Sequence, residues 1–210
     1  MEMRKSSLRN EKGFTLIEMA IVLVIIGLIL GAVIKGKDVI NSAKQKKFYS
    51  NFIKTWELAT ASYYDRTGNL LGDGANNGGP GTTNGLFDGI DSNAEFTKVS
   101  DRLKAVGLEV PTSNTANNYQ YTYSGVYSGA RTIALQLITR ASATDGVTRN
   151  AFYFTNMPTD LAIALDTVTD GEANPRTGNF RSFPDNPAGG VWPNANTTTT
   201  VNVMYIVNVP

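Results

Sequence analysis

The feature that most constrains this chain is an apolar segment of twenty-one residues, Phe14 to Ile34, which contains no Lys or Arg and a single acid, Glu18. As an α-helix rising about 1.5 Å per residue, it would be roughly 30 Å long, the thickness of the hydrocarbon core of a bilayer. Residues 1–13 before it carry four bases against two acids. Because positive charge stays on the cytoplasmic side, we expect one membrane-spanning helix, with its N-terminus in the cytoplasm and the rest of the chain exported.

Glu18 lies one turn into this segment, where an unpaired acid costs about 3 kcal/mol in lipid. A partner exists if the chain is cut between Gly13 and Phe14, because the cut creates an α-amino group at the start of the segment. Within one chain that amine is a full turn from Glu18, but in a stagger of parallel helices it can meet the Glu18 of a neighbour. The residues therefore predict an acid that sets the register of an assembly.

The sequence KGFTLIEMAIVLVIIGLILGAVI, residues 12–34, resembles the N-terminus of type IV prepilins and type II secretion pseudopilins. The shared features are a short basic leader, Gly13 before the cut, Phe14 after it, Glu18 as the fifth mature residue, and an unbroken apolar run. The resemblance implies that a prepilin peptidase removes residues 1–13 and methylates the new amine of Phe14. It also implies that Glu18 recruits and registers subunits. The sequence departs from the family at Lys35, where many pilins carry a proline.

Two simpler roles for the apolar segment fit its residues less well. A secretory signal has an apolar core of about 7 to 15 residues followed by a small-x-small cut site, and this segment is longer. A plain membrane anchor requires neither Glu18 nor the Gly13–Phe14 junction.

Composition excludes several classes of function. The chain contains no Cys and no His, which removes thiol and imidazole catalysis and the usual zinc sites. Residues 67–210 carry eight Lys or Arg against twelve Asp or Glu, so no broad nucleic-acid surface is expected. We predict a protein that is not an enzyme, requires no cofactor and does not bind nucleic acid.

A second helical pattern, amphipathic this time, occupies residues 35–66. Lys35 and Lys37 suit the headgroup boundary, where long basic side chains reach lipid phosphates. We expect one helix from Phe14 to about Asp65, with Gly68 as its C-cap. The apolar stripe of its second half recurs every three to five residues, at Ile40, Ala43, Phe48, Phe52, Trp56, Ala59 and Tyr63.

Residues 67–210 are expected to form a globular head. Its glycine-rich segment, residues 72–85, is predicted to be a loop too polar and flexible to form a core. A helix is predicted for residues 93–107, where Ser92 and Glu95 have the spacing of a capping box. A second short helix is predicted for residues 157–166, with Thr159 or Asn156 as its cap.

A period of two predicts four strands, at residues 119–123, 131–139, 151–155 and 201–209. A meander of antiparallel strands covered by the second half of the long helix would bury both apolar stripes. The predicted fold class is therefore α+β and pilin-like: one long N-terminal helix, apolar in its first half, packed by its second half on a small antiparallel sheet.

Acidic residues suggest one metal site. Asp166, Asp170 and Glu172 lie near Asn174 around a glycine turn, and the run resembles an Asp-x-x-x-Asp-Gly element of pilin-like proteins. Several hard oxygen ligands suit calcium. The alternative is a turn in which Asp166 and Asp170 accept backbone N–H groups without a metal.

These features predict a structural subunit of a type IV pilus-like filament. Its partners would be other copies or other pilins, a prepilin peptidase, a pilus or secretion assembly platform and inner-membrane lipid. It would lie in the bacterial inner membrane before assembly, and in a cell-surface pilus or a periplasmic pseudopilus afterwards. The alternatives are a type II secretion pseudopilin, a minor or priming pilin, and a membrane-anchored extracytoplasmic binding module that does not polymerise.

Overall fold

The computed structural model describes residues 13–141, 146–184 and 190–208, and it divides into two units, residues 1–44 and 45–210. The predicted leader falls almost wholly on residues 1–12, which lie outside the described residues. The predicted α+β class is confirmed, since the chain combines one long N-terminal helix with a five-stranded antiparallel sheet.

The long helix begins at Leu16 and ends at Thr67, two residues later at each end than predicted. It consists of α1 (Leu16–Phe48), a π-helical turn (Tyr49–Ile53) and α2 (Lys54–Thr67). Gly68 is the C-cap in the left-handed conformation, with φ of 69°, and its N–H donates to the carbonyl of Tyr64. The predicted cap is therefore confirmed, and it uses the freedom of glycine at positive φ.

The π-helical turn is a feature that periodicity does not predict. The N–H of Lys54 donates to the carbonyl of Tyr49, five residues earlier, and the hydroxyl of Thr55 donates to the carbonyl of Ser50 at 3.2 Å. Apolar spacings of four fit an α-helix and a π turn about equally well, so the stripe alone cannot reveal the extra residue.

The glycine-rich segment is more compact than predicted. Asp73 and Asn77 are buried, and a 3-10 turn covers Ala75–Asn77. Residues 72–85 contribute no side chain to the hydrophobic core, but two carboxylates order their backbone, so the segment is less flexible than predicted. Asp73 accepts hydrogen bonds from the N–H groups of Asn84 and Gly85, and Asp88 accepts them from Gly74 and Gly81.

Helix α3 covers Asn93–Ala105 and confirms the predicted capping box. The Ser92 hydroxyl accepts a hydrogen bond from the Glu95 N–H at 3.3 Å, and the Glu95 carboxylate accepts from the Ser92 N–H at 3.2 Å. Its apolar stripe, which includes Phe96, faces the core.

The sheet has five strands rather than four, and it is not a meander. The strand order is β1-β2-β3-β5-β4 with every pair antiparallel, so the last strand in sequence lies between the third and the fourth. The fourth strand is short and was not predicted. The strands are β1 (Gln120–Gly125), β2 (Gly129–Ala141), β3 (Thr148–Pro158), β4 (Phe180–Phe183) and β5 (Thr200–Ile206). Of the residues predicted for the last strand, Val209 lies outside the described part.

Helix α4 covers Thr159–Asp170 and begins later than predicted, because Met157 and Pro158 still belong to β3. The predicted caps are wrong: Pro158 occupies the N-cap position and makes no side-chain cap. Thr159 instead donates its hydroxyl to the carbonyl of Thr198. Asn156 adopts φ of 58° at a bulge in β3, and its side chain donates to the carbonyl of Thr132.

The core of the head lies between the second half of the long helix, α3 and one face of the sheet. Phe48 and Tyr121 meet edge to face with their ring centres 5.1 Å apart, and Trp56 meets Phe96 at 5.4 Å. The Trp56 indole N–H donates to the carbonyl of Asn118 at 3.2 Å. The predicted stripe therefore packs inward from Phe48 onwards, while Ile40 and Ala43 are exposed.

Candidate functional site

The Gly13–Phe14 junction lies just before the long helix. Gly13, Phe14 and Thr15 are non-helical, and the helix starts at Leu16. Phe14 is 84% exposed, and a Cβ on Gly13 would meet no described atom within 4 Å. The peptide bond between Gly13 and Phe14 is therefore outside the helical hydrogen-bond ladder, and the side chain that follows it is exposed.

Glu18 caps its own helix together with Thr15. The Glu18 oxygen Oε2 accepts hydrogen bonds from the Thr15 N–H at 2.7 Å and from the Thr15 hydroxyl at 2.8 Å. The Glu18 N–H in turn donates to the Thr15 hydroxyl at 3.3 Å. This reciprocal pair is a capping box, with Thr15 as N-cap and Glu18 at the third helical position. Both side chains remain exposed, so the Glu18 carboxylate is also accessible to a group from another molecule.

The surface that follows Glu18 is apolar on every side. Every residue from Leu16 to Ile34 is exposed, and the most apolar 18-residue window has none of its residues buried. In the described part of the chain this is the one helix whose length and composition suffice to cross a membrane. A helix that is apolar all round requires lipid or other helices around it. The site can therefore enter a bilayer and pack against similar helices, with one acid near its end.

The three acids predicted to bind calcium lie at the end of α4 and just beyond it. Asp170 accepts hydrogen bonds from the backbone N–H groups of Asn179 and Phe180, whereas Glu172 is exposed. Asp166 is fully buried, and its Oδ2 accepts a hydrogen bond from the Trp192 indole at 2.7 Å. Burial raises the pKa of Asp166 to about 6, and the nearby charge of Asp170 adds to the rise.

In this arrangement three of the four carboxylate oxygens of Asp166 and Asp170 accept hydrogen bonds from the protein, and the buried Asp166 Oδ1 has no partner in the described part of the chain. Within residues 13–141, 146–184 and 190–208, no three acidic side chains are grouped so that they could hold a metal ion. Both carboxylate oxygens of Asp170 accept hydrogen bonds from backbone N–H groups. This is the contact expected for Asp170 if the turn forms without a metal. Calcium binding stays a prediction.

Two residues that contact the predicted site residues are not among those predicted from the sequence. Thr15 has a local signal, because Thr15-Leu16-Ile17-Glu18 has the same Ser/Thr-x-x-Glu spacing that identifies Ser92 and Glu95. Trp192 has no such signal: it lies twenty-six positions after Asp166, beyond a strand. Gly13, Phe14 and Glu18 all lie at the start of the long helix, as expected for residues within six positions of one another.

Among family models, the prokaryotic N-terminal methylation motif matches residues 8–34. The match includes the Gly13–Phe14 junction, Glu18 and the whole apolar segment. No curated protein and no solved structure matches this chain.

Proposed function

Because the matched segment is the prepilin signature of type IV pilins and pseudopilins, we propose that this chain is a structural subunit of a type IV pilus-like filament. A prepilin peptidase cuts it between Gly13 and Phe14, methylates the new amine and leaves a subunit that assembles through its N-terminal helix. The observation that carries this proposal is the combination of that signature with a fully exposed apolar helix. The α+β fold, one long N-terminal helix with a five-stranded antiparallel sheet, is also pilin-like.

The apolar helix supports both stages of this function. Before assembly, lipid covers Leu16 to Ile34 and holds the subunit in the inner membrane. In the filament, sister helices replace the lipid. Because lipid and leucine side chains are equally apolar, helix association then depends on close packing and on polar contacts between helices.

Glu18 supplies the polar contact. The mature amine of Phe14 in one subunit can pair with the Glu18 carboxylate of a neighbour, which neutralises an acid that lipid tolerates poorly. The pair forms at one axial offset between parallel helices, so it defines their stagger. The Thr15–Glu18 capping box holds the carboxylate at the helix end while its surface stays open.

The first experiment is to determine the intact mass and N-terminal sequence of the chain from sheared surface filaments and from the membrane fraction. Chains that begin with methylated Phe14 and are abundant in the sheared material are the expected result. Processed chains confined to the membrane would favour a pseudopilin or a minor pilin. An uncut leader in both fractions would overturn the proposal and leave a membrane-anchored binding module.

A matched pair of variants tests the role of Glu18. Glu18→Ala should be processed at Phe14 yet absent from filaments, because its subunits cannot form the registering pair. Asp38→Ala removes another exposed acid of the same helix and should assemble as the wild type does. Quantifying both variants in sheared fractions provides the comparison. Normal incorporation of Glu18→Ala would refute the register mechanism without touching the processing result.

A further inference from the structure

The C-terminal part of the head is held together without a disulfide, since the chain has no Cys. Two carboxylates on α4, Asp166 and Asp170, lie one helical turn apart. Each contacts a different stretch of the chain after the helix. Asp170 contacts the residues at the start of β4, and Asp166 contacts a residue that follows β4.

Asp170 holds the first stretch. Its Oδ2 accepts the Phe180 N–H at 2.8 Å, and both of its oxygens lie within 3.0 Å of the Asn179 nitrogen. Gly178 passes so close that a Cβ there would lie 2.4 Å from the Asp170 Cγ. Phe180 is the first residue of β4 and is fully buried. The carboxylate therefore fixes where β4 begins.

Asp166 holds the second stretch through Trp192. The indole nitrogen donates to Oδ2 at 2.7 Å, Asp166 is fully buried and the tryptophan is 7% exposed. The two stretches also approach each other, because a Cβ on Gly190 would lie 3.2 Å from the Arg176 Cδ. Hydrogen bonds to a charged acceptor in a buried place are stronger than those between neutral groups.

We propose that Asp166 and Asp170 form a metal-independent clasp that closes the C-terminal part of the head over α4. In this clasp the Asp166 Oδ2 is occupied by the indole and both Asp170 oxygens by backbone N–H groups, while the buried Asp166 Oδ1 has no hydrogen-bond partner among the described residues. Glu172, the third acid of the same run, is exposed and takes no part. The clasp stands in place of a disulfide or a bound ion, and it does not depend on filament assembly.

Chelation of the wild-type protein is the first test, and it requires no variant. The full chain in detergent micelles is digested with trypsin, with EDTA or with calcium, and cleavage after Arg176 and Arg181 is followed by mass spectrometry. The clasp predicts cleavage rates that agree within about twofold in the two conditions. Faster cleavage in EDTA that calcium reverses would establish a metal site and overturn the proposal.

Variants separate the clasp from a metal site in a second way. Asp170→Ala and Trp192→Phe should each accelerate cleavage after Arg176 by fivefold or more. Asp166→Asn should accelerate cleavage less than Trp192→Phe does, because its amide oxygen still accepts from the indole although without the charge, and Glu172→Gln should not change the rate. A calcium site would reverse these results. Cleavage after Arg176 would then be much faster in Asp166→Asn and Glu172→Gln, whereas Trp192→Phe would be cleaved at the wild-type rate.

Discussion

At the scale of single residues, Thr15 has a role that its position in an apolar segment does not suggest. Its hydroxyl both donates to Glu18 and accepts from the Glu18 N–H, so it satisfies one of the free amides at the start of the long helix. The same contact fixes the rotamer of the one acid in the apolar segment.

We expect Thr15→Val to loosen this helix end, because valine has nearly the same shape as threonine and lacks the hydroxyl. Loss of an N-cap costs about 1 kcal/mol, which corresponds to about fivefold faster exchange of the Glu18 amide. Hydrogen–deuterium exchange of the full chain in micelles measures that rate. Thr15→Ser keeps the hydroxyl and should exchange as slowly as the wild type. An unchanged rate in Thr15→Val would show that the capping box does not form.

At the scale of the elements, the charge of Glu95 stabilises the start of α3. Partial burial alone would raise the pKa of Glu95, but hydrogen bonds from the Asp91 N–H and from the Ser92 hydroxyl and N–H lower it below its usual value. A carboxylate with a lowered pKa in the folded state stabilises the fold above its unfolded pKa, and this contribution is lost as the pH falls through the folded pKa.

Glu95→Gln should therefore destabilise the head by about 0.5 to 1 kcal/mol at pH 7. The difference from the wild type should shrink as the pH falls below 4.5, the ordinary pKa of the carboxyl, and vanish once the pH is below the lowered pKa of the folded state. Urea unfolding at pH 7 and pH 3 measures both differences. Glu109→Gln, at an exposed position, is the matched control and should be neutral at either pH. A difference that grows towards acid pH would contradict the role assigned to this charge.

The glycine-rich segment is a second ordered element. A Cβ on Gly79 would lie 2.3 Å from the Gly72 carbonyl oxygen and 2.4 Å from the Asp88 Oδ2. Gly79→Ala should destabilise the head by about 2 kcal/mol, because backbone and a hydrogen-bonded carboxylate must shift to make room. Thr82→Ala changes an exposed residue of the same segment and should be nearly neutral. Thermal unfolding compares the two, and equal melting temperatures would indicate a loose segment.

The elements show which features a sequence can predict. The capping box of α3, the C-cap at Gly68 and four of the five strands depend on neighbours a few positions apart, so their patterns are visible in the chain. The position of β5 between β3 and β4 depends on pairing across about fifty residues and has no local pattern. Four residues, Phe180–Phe183, are too few to show alternation. The role of Glu18 could be predicted because it is the single acid in an apolar segment. The Asp166–Trp192 contact could not be predicted, because it joins residues that only the tertiary fold brings together.

At the scale of the whole molecule, the helical and β layers of the head are joined by a polar contact as well as by the aromatic core. Lys54 and Glu57 of α2 form an ion pair at 2.7 Å, and the Tyr205 hydroxyl of β5 lies 3.1 Å from each of them. Burial raises the pKa of Tyr205 to about 12, and the negative charge of Glu57 supports this, while Lys54 opposes it. The contact thus holds a neutral phenol between two charges.

This contact predicts how the head responds to alkaline pH. Tyrosine in the unfolded chain loses its proton near pH 10.0, whereas the folded Tyr205 keeps it to about pH 12. Between these values the folded state binds more protons than the unfolded state, so stability falls as the pH rises. The wild-type urea midpoint should therefore decrease from pH 9 to pH 11, and Tyr205→Phe, which cannot ionise, should show a smaller decrease. Tyr127→Phe removes an exposed phenol and should decrease as the wild type does. If Tyr205→Phe lost stability as steeply as the wild type, ionisation of the Tyr205 phenol would not be the cause of the loss of stability at alkaline pH.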